Sequence, residues 1–415
     1  MKVLLSAFSC SPGFGSEPNV GWNVALQAAC RGYDVWVLTV PANRDRIGAG
    51  LRRLDPDRVE RLRFVYVEAP AGVRRLAELP LLGTHYAYYC AWQIVAYLKA
   101  RELHRSVGFD LVHHVTYVNP WAPTLMGRLG LPFIWSAGTV DPTPAAFLRE
   151  MSAGGALAEL RRNAVLATFG RVNMRWAGRR AKLILTSSDV RRWPEGLPVL
   201  RMPLGGLDEE DLKLLGQIPP KQESSPFTVI SVGRLLGWKG LGLAVKAFAR
   251  LREAVPGARY WIVGDGPERP WLEKLSAQLG LQEAVKFWGQ RTRQEVFELL
   301  AQADILLHPS LHEQFGYAVL ESMAAGRPAV CLATGGPELI VGDAGFVIAA
   351  DRPGNTVRRL AESLAAMARD RTLTAEKGAL ARKRAQTCYS WDAVGTKILD
   401  LYVSSSGATS AAERR

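Results

Sequence analysis

The sequence is poor in cysteine and has no long hydrophobic run. Its five cysteines form no CxxC pair and no metal-binding spacing; they are Cys10, Cys30, Cys90, Cys331 and Cys388. An odd, scattered set indicates a reduced compartment such as the cytoplasm. No stretch reaches the roughly 18 apolar residues of a membrane-spanning helix, and the nearest, Leu79–Ala100, predicts a buried amphipathic helix instead. Met1-Lys2 leads directly into a strand pattern, so no signal peptide is expected.

Acidic residues are scarce in the first half of the chain. Residues 1–200 contain 25 Lys and Arg against 15 Asp and Glu, whereas the remainder has 27 against 24. This asymmetry favours an anionic partner for the first half, such as anionic lipid at the inner face of the cell membrane or a phosphorylated acceptor. Solubility charge explains it equally well. No zinc-finger, RRM, KH or helix-turn-helix pattern is present, so a nucleic-acid partner is not expected.

Short apolar runs alternate with helical runs along the whole chain, which predicts an α/β protein with parallel sheets. The first series of predicted strands is Lys2–Phe8, Asp34–Val40, Arg63–Ala69, Asp110–Thr116, Pro132–Gly138 and Lys182–Ser188. The second series is Phe227–Gly233, Arg259–Gly266, Val285–Gln290, Asp304–Ser310, Pro328–Ala333 and Ala344–Ala350. Helical runs are predicted at about 84–104, 120–129 and 147–179. A polar linker at about 204–225 divides the series, which predicts domains at 1–204 and 205–390, followed by a helix at about 391–404.

The first βαβ unit has a Gly-rich turn containing Gly13 and Gly15, which allows close backbone approach to an oxyanion. A simple tight turn is an equal reading of this segment alone. The turn lacks the GxGxxG fingerprint, and no acidic residue ends the second strand, where Val40 is followed by Pro41. A hydride-transfer cofactor is therefore not expected.

The segment His308–Gly336 has the most informative pattern. A buried strand leads into a loop with Gly316, then into a helix at about Tyr317–Ala325, so the loop presents backbone N–H groups at a helix N-terminus. Such a terminus suits a phosphate. Glu313 and Glu321 frame it, and an ionised carboxylate accepts hydrogen bonds from a diol. Phosphate together with diols points to a sugar nucleotide, although two such glutamates are often merely solvated.

The spacing of Glu313 and Glu321, with AAGRPAV after them, resembles the E-x7-E signature of the retaining GT-B glycosyltransferases of family 4. The preceding SVGRLLGWKG and GDGP segments resemble the donor site of the same family. This resemblance implies two Rossmann-like domains with parallel sheets facing each other across a cleft, with the last helix packing back on the N-terminal, acceptor-binding domain. It also implies these donor-site residues: Gly13, Gly15, Gly233, Arg234, Lys239, Gln290, Glu313, Phe315, Gly316, Tyr317 and Glu321.

The resemblance also suggests individual roles. Arg234 and Lys239 bind the pyrophosphate and stabilise its growing charge, Glu313 binds the donor sugar hydroxyls, and Glu321 binds the ribose. The family often has a DxxHxH pattern at the end of a first-domain strand. Here His113 and His114 are followed by Val115, so the pattern is broken and the residue near the reacting sugar is His114, His113 or Thr116, with His114 favoured.

The resemblance therefore implies a metal-independent, retaining glycosyltransferase that needs no cofactor. Its partners are a nucleotide-sugar donor, a UDP- or GDP-sugar in the first instance, and a sugar or lipid-linked acceptor in polysaccharide or glycolipid synthesis. The one DxD spacing, Asp55-Pro56-Asp57, falls in a predicted surface loop. Two alternatives remain open: a nucleotide-sugar epimerase or hydrolase of the same fold, and a non-catalytic nucleotide-sugar-binding protein.

Overall fold

A computed structural model describes residues 1–13, 16–77, 84–221 and 225–407. The chain divides into two compact units. The first unit contains residues 1–140, 165–205 and the chain from Trp391 onward, and the second contains residues 141–164 and 206–390. Neither unit is continuous in sequence.

The first unit contains a parallel sheet, which has seven strands within the described residues. They are β1 (Lys2–Ser6), β2 (Asp34–Thr39), β3 (Leu62–Tyr66), β4 (Leu111–His114), β5 (Phe133–Ser136), β6 (Leu183–Thr186) and β7 (Val199–Arg201). Their order in the sheet is β3-β2-β1-β4-β5-β6-β7. Strands such as β4 and β5 are buried on both faces, which is why they appear in the sequence as continuous apolar runs.

The second unit repeats the plan, with six parallel strands among its described residues. They are β8 (Thr228–Val232), β9 (Arg259–Val263), β10 (Val285–Gly289), β11 (Ile305–His308), β12 (Ala329–Leu332) and β13 (Phe346–Ile348), ordered β10-β9-β8-β11-β12-β13. In both sheets the strand order reverses beside the first strand. Ligands of such sheets bind at this switch point, outside the carboxyl ends of the strands. In the second unit it lies between β8 and β11.

Helices occupy the connections between strands. The first eight are α1 (Ser16–Cys30), α2 (Arg44–Leu51), α3 (Pro56–Val59), α4 (Ala71–Ala77), α5 (Thr84–Val107), α6 (Ala153–Val165), α7 (Arg171–Gly178) and α8 (Glu209–Gly216). The others are α9 (Leu241–Ala254), α10 (Arg269–Gln278), α11 (Arg293–Gln302), α12 (Tyr317–Ala324), α13 (Gly336–Val341), α14 (Pro353–Arg369), α15 (Arg371–Cys388) and α16 (Trp391–Ser406). Of the predicted helix at Leu79–Ala100, residues 79–83 lie outside the described residues.

The sequence pattern assigns all residues up to 204 to the first domain, and residues 141–164 depart from that prediction. The structure groups this segment with the second unit. Phe147 and Met151 are buried in an apolar cluster with Phe248 of α9, and this burial attaches the segment there. The helix predicted at 147–179 is accordingly divided, with a π-helical turn at Leu166–Gly170 where the chain returns to the first unit.

Smaller differences have local causes. The prediction of a helix at 120–129 is wrong, because the structure has only a 3₁₀ turn at Met126–Arg128. Pro123 has no N–H to donate, so it disfavours a continuous helix here. Residues of the predicted linker form α8, and Pro56–Val59 form a short helix in place of a loop. The strand β7 was not predicted.

Helix α16 belongs to the first unit. Trp391, Ile398 and Tyr402 are buried in the apolar cluster that also contains Ala25 of α1. The Tyr402 hydroxyl lies 2.6 Å from Nδ1 of His113, in the middle of the first sheet. Apolar packing buries one face of α16, and this polar contact fixes the position of the helix along the sheet.

Candidate functional site

The loop after β8 and the loop after β11 meet at the switch point of the second sheet. Gly233 and Arg234 follow β8, and Lys239 lies one turn further on. At Gly240, which has φ 66°, a Cβ atom would collide with the carbonyl oxygen of Pro309. Only glycine allows this close approach, so the GWKG segment brings Lys239 against the loop that contains Glu313.

Glu313 is a charged carboxylate held in a nearly enclosed position. Its side chain is 14% exposed, and its Oε2 accepts from Nζ of Lys239 and lies 3.4 Å from Nε2 of His308 and from Oγ of Ser310. Burial by itself raises the pKa of Glu313, but Lys239 and His308 outweigh burial and lower it to about 2. The group is therefore ionised throughout the physiological range, and its oxygens suit acceptance from hydroxyl groups.

The loop that contains Glu313 ends at Gly316, which has φ 94° and precedes the first residue of α12. Phe315 is buried, and its ring meets that of Tyr317 edge to face at 4.7 Å. The carbonyl of Glu313 accepts from the amide of Gly336 at 2.9 Å, which ties the loop to the segment after β12. The loop is thus held on two sides while the N-terminus of α12 is directed to the carboxyl edge of the sheet.

Glu321 lies one turn into α12 and is paired differently. Its Oε1 accepts from Arg293 at 3.0 Å, and Arg293 also reaches Oδ2 of Asp211 at 2.7 Å. Burial raises the pKa of Glu321, and Arg293 offsets only part of that effect. Arg293 is 49% exposed, so a ligand hydroxyl can compete with it for the Glu321 carboxylate. Neither Arg293 nor Asp211 was predicted as a site residue.

Gln290 follows β10 directly and is exposed at the same carboxyl edge. Nearby, Nζ of Lys286 lies over the ring of Trp288, 3.6 Å from its centroid. The Trp288 indole nitrogen is buried and has no hydrogen-bond partner in the described part of the chain. The structure thus brings Gly233, Arg234, Lys239, Glu313, Phe315, Gly316 and Tyr317 together, with Gln290 and Glu321 on the same edge.

A buried glutamate–histidine pair supports this edge and was missed at the sequence level. Oε2 of Glu159, in α6, lies 2.9 Å from Nε2 of His312, and Thr143 donates to the same oxygen. The His312 ring stacks on Trp238 at 4.8 Å, and Nζ of Lys239 lies 4.3 Å from the centre of that indole. His312 precedes Glu313 in the recognised motif, which marks it as a candidate. Nothing in the sequence links it to Glu159.

The predicted residues of the first unit lie at the carboxyl edge of its own sheet. Gly13 is exposed with φ 65°, in the left-handed region that favours glycine. Gly15 lies outside the described residues. Thr116 is buried and accepts from the amide of Ser9 at 3.0 Å, so its hydroxyl holds the first loop against the loop after β4.

His113 and His114 point to opposite faces of the sheet, as alternation along a strand requires. His113 contacts Tyr402 and Ser136, and burial, together with His114, lowers its pKa to about 3. Nδ1 of His114 lies 3.1 Å from Ser6, and burial lowers its pKa to about 4. His113 is thus occupied by the contacts that hold α16. A catalytic role for His114 stays a prediction.

The loop after β4 contains a backbone outlier. Tyr117 has φ 63°, which is uncommon for a residue other than glycine, and its ring stacks on Tyr89 at 3.7 Å. The half-buried carboxylate of Glu17 holds the loop by accepting from the amides of Tyr117 and Val118 at 2.6 and 3.2 Å. Strain of this kind concentrates at functional sites.

The described residues contain neither a membrane-spanning helix nor a metal-binding cluster of His, Cys, Asp or Glu side chains. None of their helices combines the length and the hydropathy needed to traverse a bilayer. No group of three or more His, Cys, Asp or Glu side chains in this part of the chain is arranged to hold a metal ion.

Comparison with known proteins gives a family match within the second unit and fold matches to almost the whole chain. Residues 217–384 match the family described as "Glycosyl transferases group 1". One relative is the glycogen synthase of Mycobacterium tuberculosis, which is 30% identical over 184 residues. That match covers 44% of this chain and 44% of the glycogen synthase, so the chain spans less than half the length of this relative.

Solved structures match almost the whole chain in fold. Sucrose-phosphate synthase from Thermosynechococcus elongatus is 19% identical with a TM-score of 0.66, and the match covers 97% of this chain and 98% of that chain. Alr3699/HepE from Anabaena, solved in complex with UDP and glucose, is 19% identical with a TM-score of 0.58 and covers 97% and 100%. With the two sheets described above, these matches confirm the predicted fold class: α/β, with two Rossmann-like units, as in the GT-B glycosyltransferases.

Proposed function

We propose that the protein is a retaining glycosyltransferase that moves a sugar from a nucleotide-diphosphate sugar to an acceptor hydroxyl, in the synthesis of a polysaccharide, glycolipid or related glycoconjugate. The observation that carries the proposal is the Lys239–Glu313 pair beside the N-terminus of α12, at the switch point of the second sheet. A fixed ammonium, an ionised carboxylate and a helix N-terminus together suit a ligand with both phosphates and hydroxyls.

Each part of the donor has a proposed partner. Arg234 and Lys239 bind the diphosphate, and the amides of residues 315–317 at the start of α12 bind phosphate and sugar oxygens. Glu313 accepts from the sugar hydroxyls, for which its low pKa is suited. Glu321 accepts from the ribose diol in exchange for Arg293, and Gln290 borders the base.

The proposed chemistry is a same-face substitution. The bond between the anomeric carbon and the diphosphate oxygen breaks as the acceptor oxygen bonds to the same face of that carbon, and the departing phosphate oxygen takes the acceptor's proton. Arg234 and Lys239 supply the positive charge that the leaving diphosphate requires, so no metal ion or cofactor is invoked. The likeness to a protein solved with UDP and glucose supports a UDP-sugar as the first donor to test. A sugar or lipid-linked acceptor at the inner face of the membrane is part of the proposal.

A thermal-shift panel tests the donor assignment. The full chain is melted with UDP-, GDP-, ADP- and dTDP-sugars, with and without EDTA, alongside the variant Glu321→Ala. Because a ligand that binds the native state raises the melting temperature, we expect one nucleotide class to give a shift that EDTA leaves unchanged and that the variant reduces. The anomeric configuration of the first sugar product, followed by NMR, tests retention. Absence of a shift with every nucleotide sugar contradicts the donor assignment.

A further inference from the structure

A basic cavity lies at the amino edge of the second sheet, opposite to the edge that contains Glu313. Its volume is about 390 Å³. One wall contains Asp304, which directly precedes β11, and Arg327, which lies in the turn before β12. The other wall is α15, where the small side chains of Ala375, Gly378 and Ala379 leave space for a ligand. The size lies within the range of about 300–1,000 Å³ found for small-molecule sites.

The charges around this cavity are unbalanced. Among the described residues that line it, one is acidic, Asp304, and five are cationic: Lys221, Arg327, Arg371, Arg382 and Lys383. Lys221 and Arg371 both contact the Asp304 carboxylate, each at 2.5 Å. Burial lowers the pKa of Lys221, the Asp304 carboxylate offsets part of this effect, and the neighbouring Arg371 and Arg327 lower the pKa further. An added anion would relieve this repulsion.

Two of the arginines have a structural role that accounts for part of the cluster. Arg327 donates to the carbonyls of Leu300 and Ala301 at the end of α11, and Arg382 donates to the carbonyls of Ile218 and Ala325. Cations at helix C-termini are stabilised by the unpaired carbonyls there. These contacts explain why the arginines are present.

Several donors at the cavity remain unused by such contacts. Nε of Arg382 is buried and has no hydrogen-bond partner in the described part of the chain. Lys383 and Gln386, one turn apart on α15, are exposed, and their side chains likewise lack partners among the described residues. A buried donor without a partner is costly, and nearly all such groups in folded proteins are satisfied by protein, water or ligand.

We infer that this cavity binds a compact phosphate-bearing anion, such as a phosphate monoester or a diphosphate. The ligand sits against the small residues of α15 and receives hydrogen bonds from Arg382, Lys383 and Gln386. Its charge balances the excess over Asp304. The site is separate from the proposed donor site, because the two lie at opposite edges of the same sheet. The inference does not depend on the protein being a glycosyltransferase.

Calorimetric titration of the full chain with inorganic pyrophosphate and with ribose 5-phosphate tests the site. We expect sub-millimolar binding in the wild type that is weakened at least tenfold by Lys383→Glu and Gln386→Glu. These side chains are exposed and make no side-chain contact that the fold requires, so both variants should melt like the wild type. The matched control is Lys274→Glu, which reverses the charge of an exposed lysine of α10 away from the cavity and should bind like the wild type.

Arg234→Ala separates this site from the proposed donor site and should leave the pyrophosphate affinity of the cavity unchanged. A loss of binding in Arg234→Ala with none in Lys383→Glu places the anion at the other edge of the sheet and refutes the inference. Failure of both probes to bind also refutes it. Sedimentation with vesicles that contain phosphatidic acid, whose headgroup is a phosphate monoester, distinguishes the source of the phosphate. When the soluble probes bind, retention on vesicles that Lys383→Glu abolishes supports the site with a lipid headgroup, whereas binding of the soluble probes alone supports a free metabolite.

Discussion

Replacing Glu313 with glutamine should destabilise the native protein by roughly 3 kcal/mol at neutral pH. Glutamine has nearly the shape of a protonated glutamate, so the variant reports what ionisation of this side chain contributes. The native pKa is about 2, against an ordinary value of 4.5. Each unit of this difference corresponds to about 1.4 kcal/mol, which gives the estimate.

The sign of the pH dependence follows from the direction of the shift. A carboxyl group whose pKa is depressed in the native state contributes stability that is fully present above its ordinary pKa of 4.5 and is lost as the pH falls through 2. Between these limits the free-energy difference between wild type and Glu313→Gln should shrink by about 1.4 kcal/mol per pH unit. At pH 3.5 the variant should therefore cost roughly 2 kcal/mol in place of 3.

Urea unfolding of the wild type and the variant at pH 7 and pH 3.5 measures both values. Glu321→Gln is the matched control, because it makes the same chemical change eight residues away, on a carboxyl group whose pKa burial raises. There burial disfavours the charged form relative to the unfolded chain, so the control should cost nothing or stabilise. Equal destabilisation by the two variants, or a cost of Glu313→Gln that does not change with pH, would falsify the assignment of the Lys239–Glu313 pair.

Two further predictions concern buried pairs outside the recognised motif. His113→Phe should lower the free energy of unfolding by about 2–6 kcal/mol, because the hydroxyls of Tyr402 and Ser136 each lose a buried partner at about 1–3 kcal/mol. Urea unfolding measures this change, and an unchanged stability would show that the contact does not hold α16. Glu159→Ala should weaken UDP-sugar binding at least fivefold in the thermal-shift assay, because His312 loses its hydrogen-bond partner. Glu159→Gln keeps an acceptor and should restore most of the binding. Equal binding by both variants and the wild type would rule out support of the donor loop by this pair.

The sequence predicted what short-range patterns encode. Buried parallel strands are continuous apolar runs, so twelve of the thirteen described strands were anticipated, and β7 was missed because it is a three-residue edge strand that is only partly buried. The segment from Glu313 to Glu321 was recognisable because its glycine, carboxylates and helix start are adjacent in sequence. Helix α12 begins and ends within a residue of its predicted limits.

Other features depend on contacts between distant parts of the chain. Periodicity shows that a segment has an apolar face, but not which core buries that face, so the attachment of Phe147 to the second unit was not predictable. Glu159 and His312 are 153 residues apart, and no local pattern relates them. Arg293 looked like an ordinary residue at a helix start until the structure placed Glu321 and Asp211 on either side of it.

The contact between His113 and Tyr402 also bears on the order in which the protein can fold. The two residues are 289 positions apart, and α16 supplies part of the first unit's apolar cluster. A ribosome adds about 5–20 residues per second, so roughly 15–60 s separate the synthesis of β4 from that of its last partner. During this interval the surface of α1 that α16 covers stays open on the nascent chain, while the second unit is completed before the first. The core of the first unit is therefore completed only after the second unit has been synthesised.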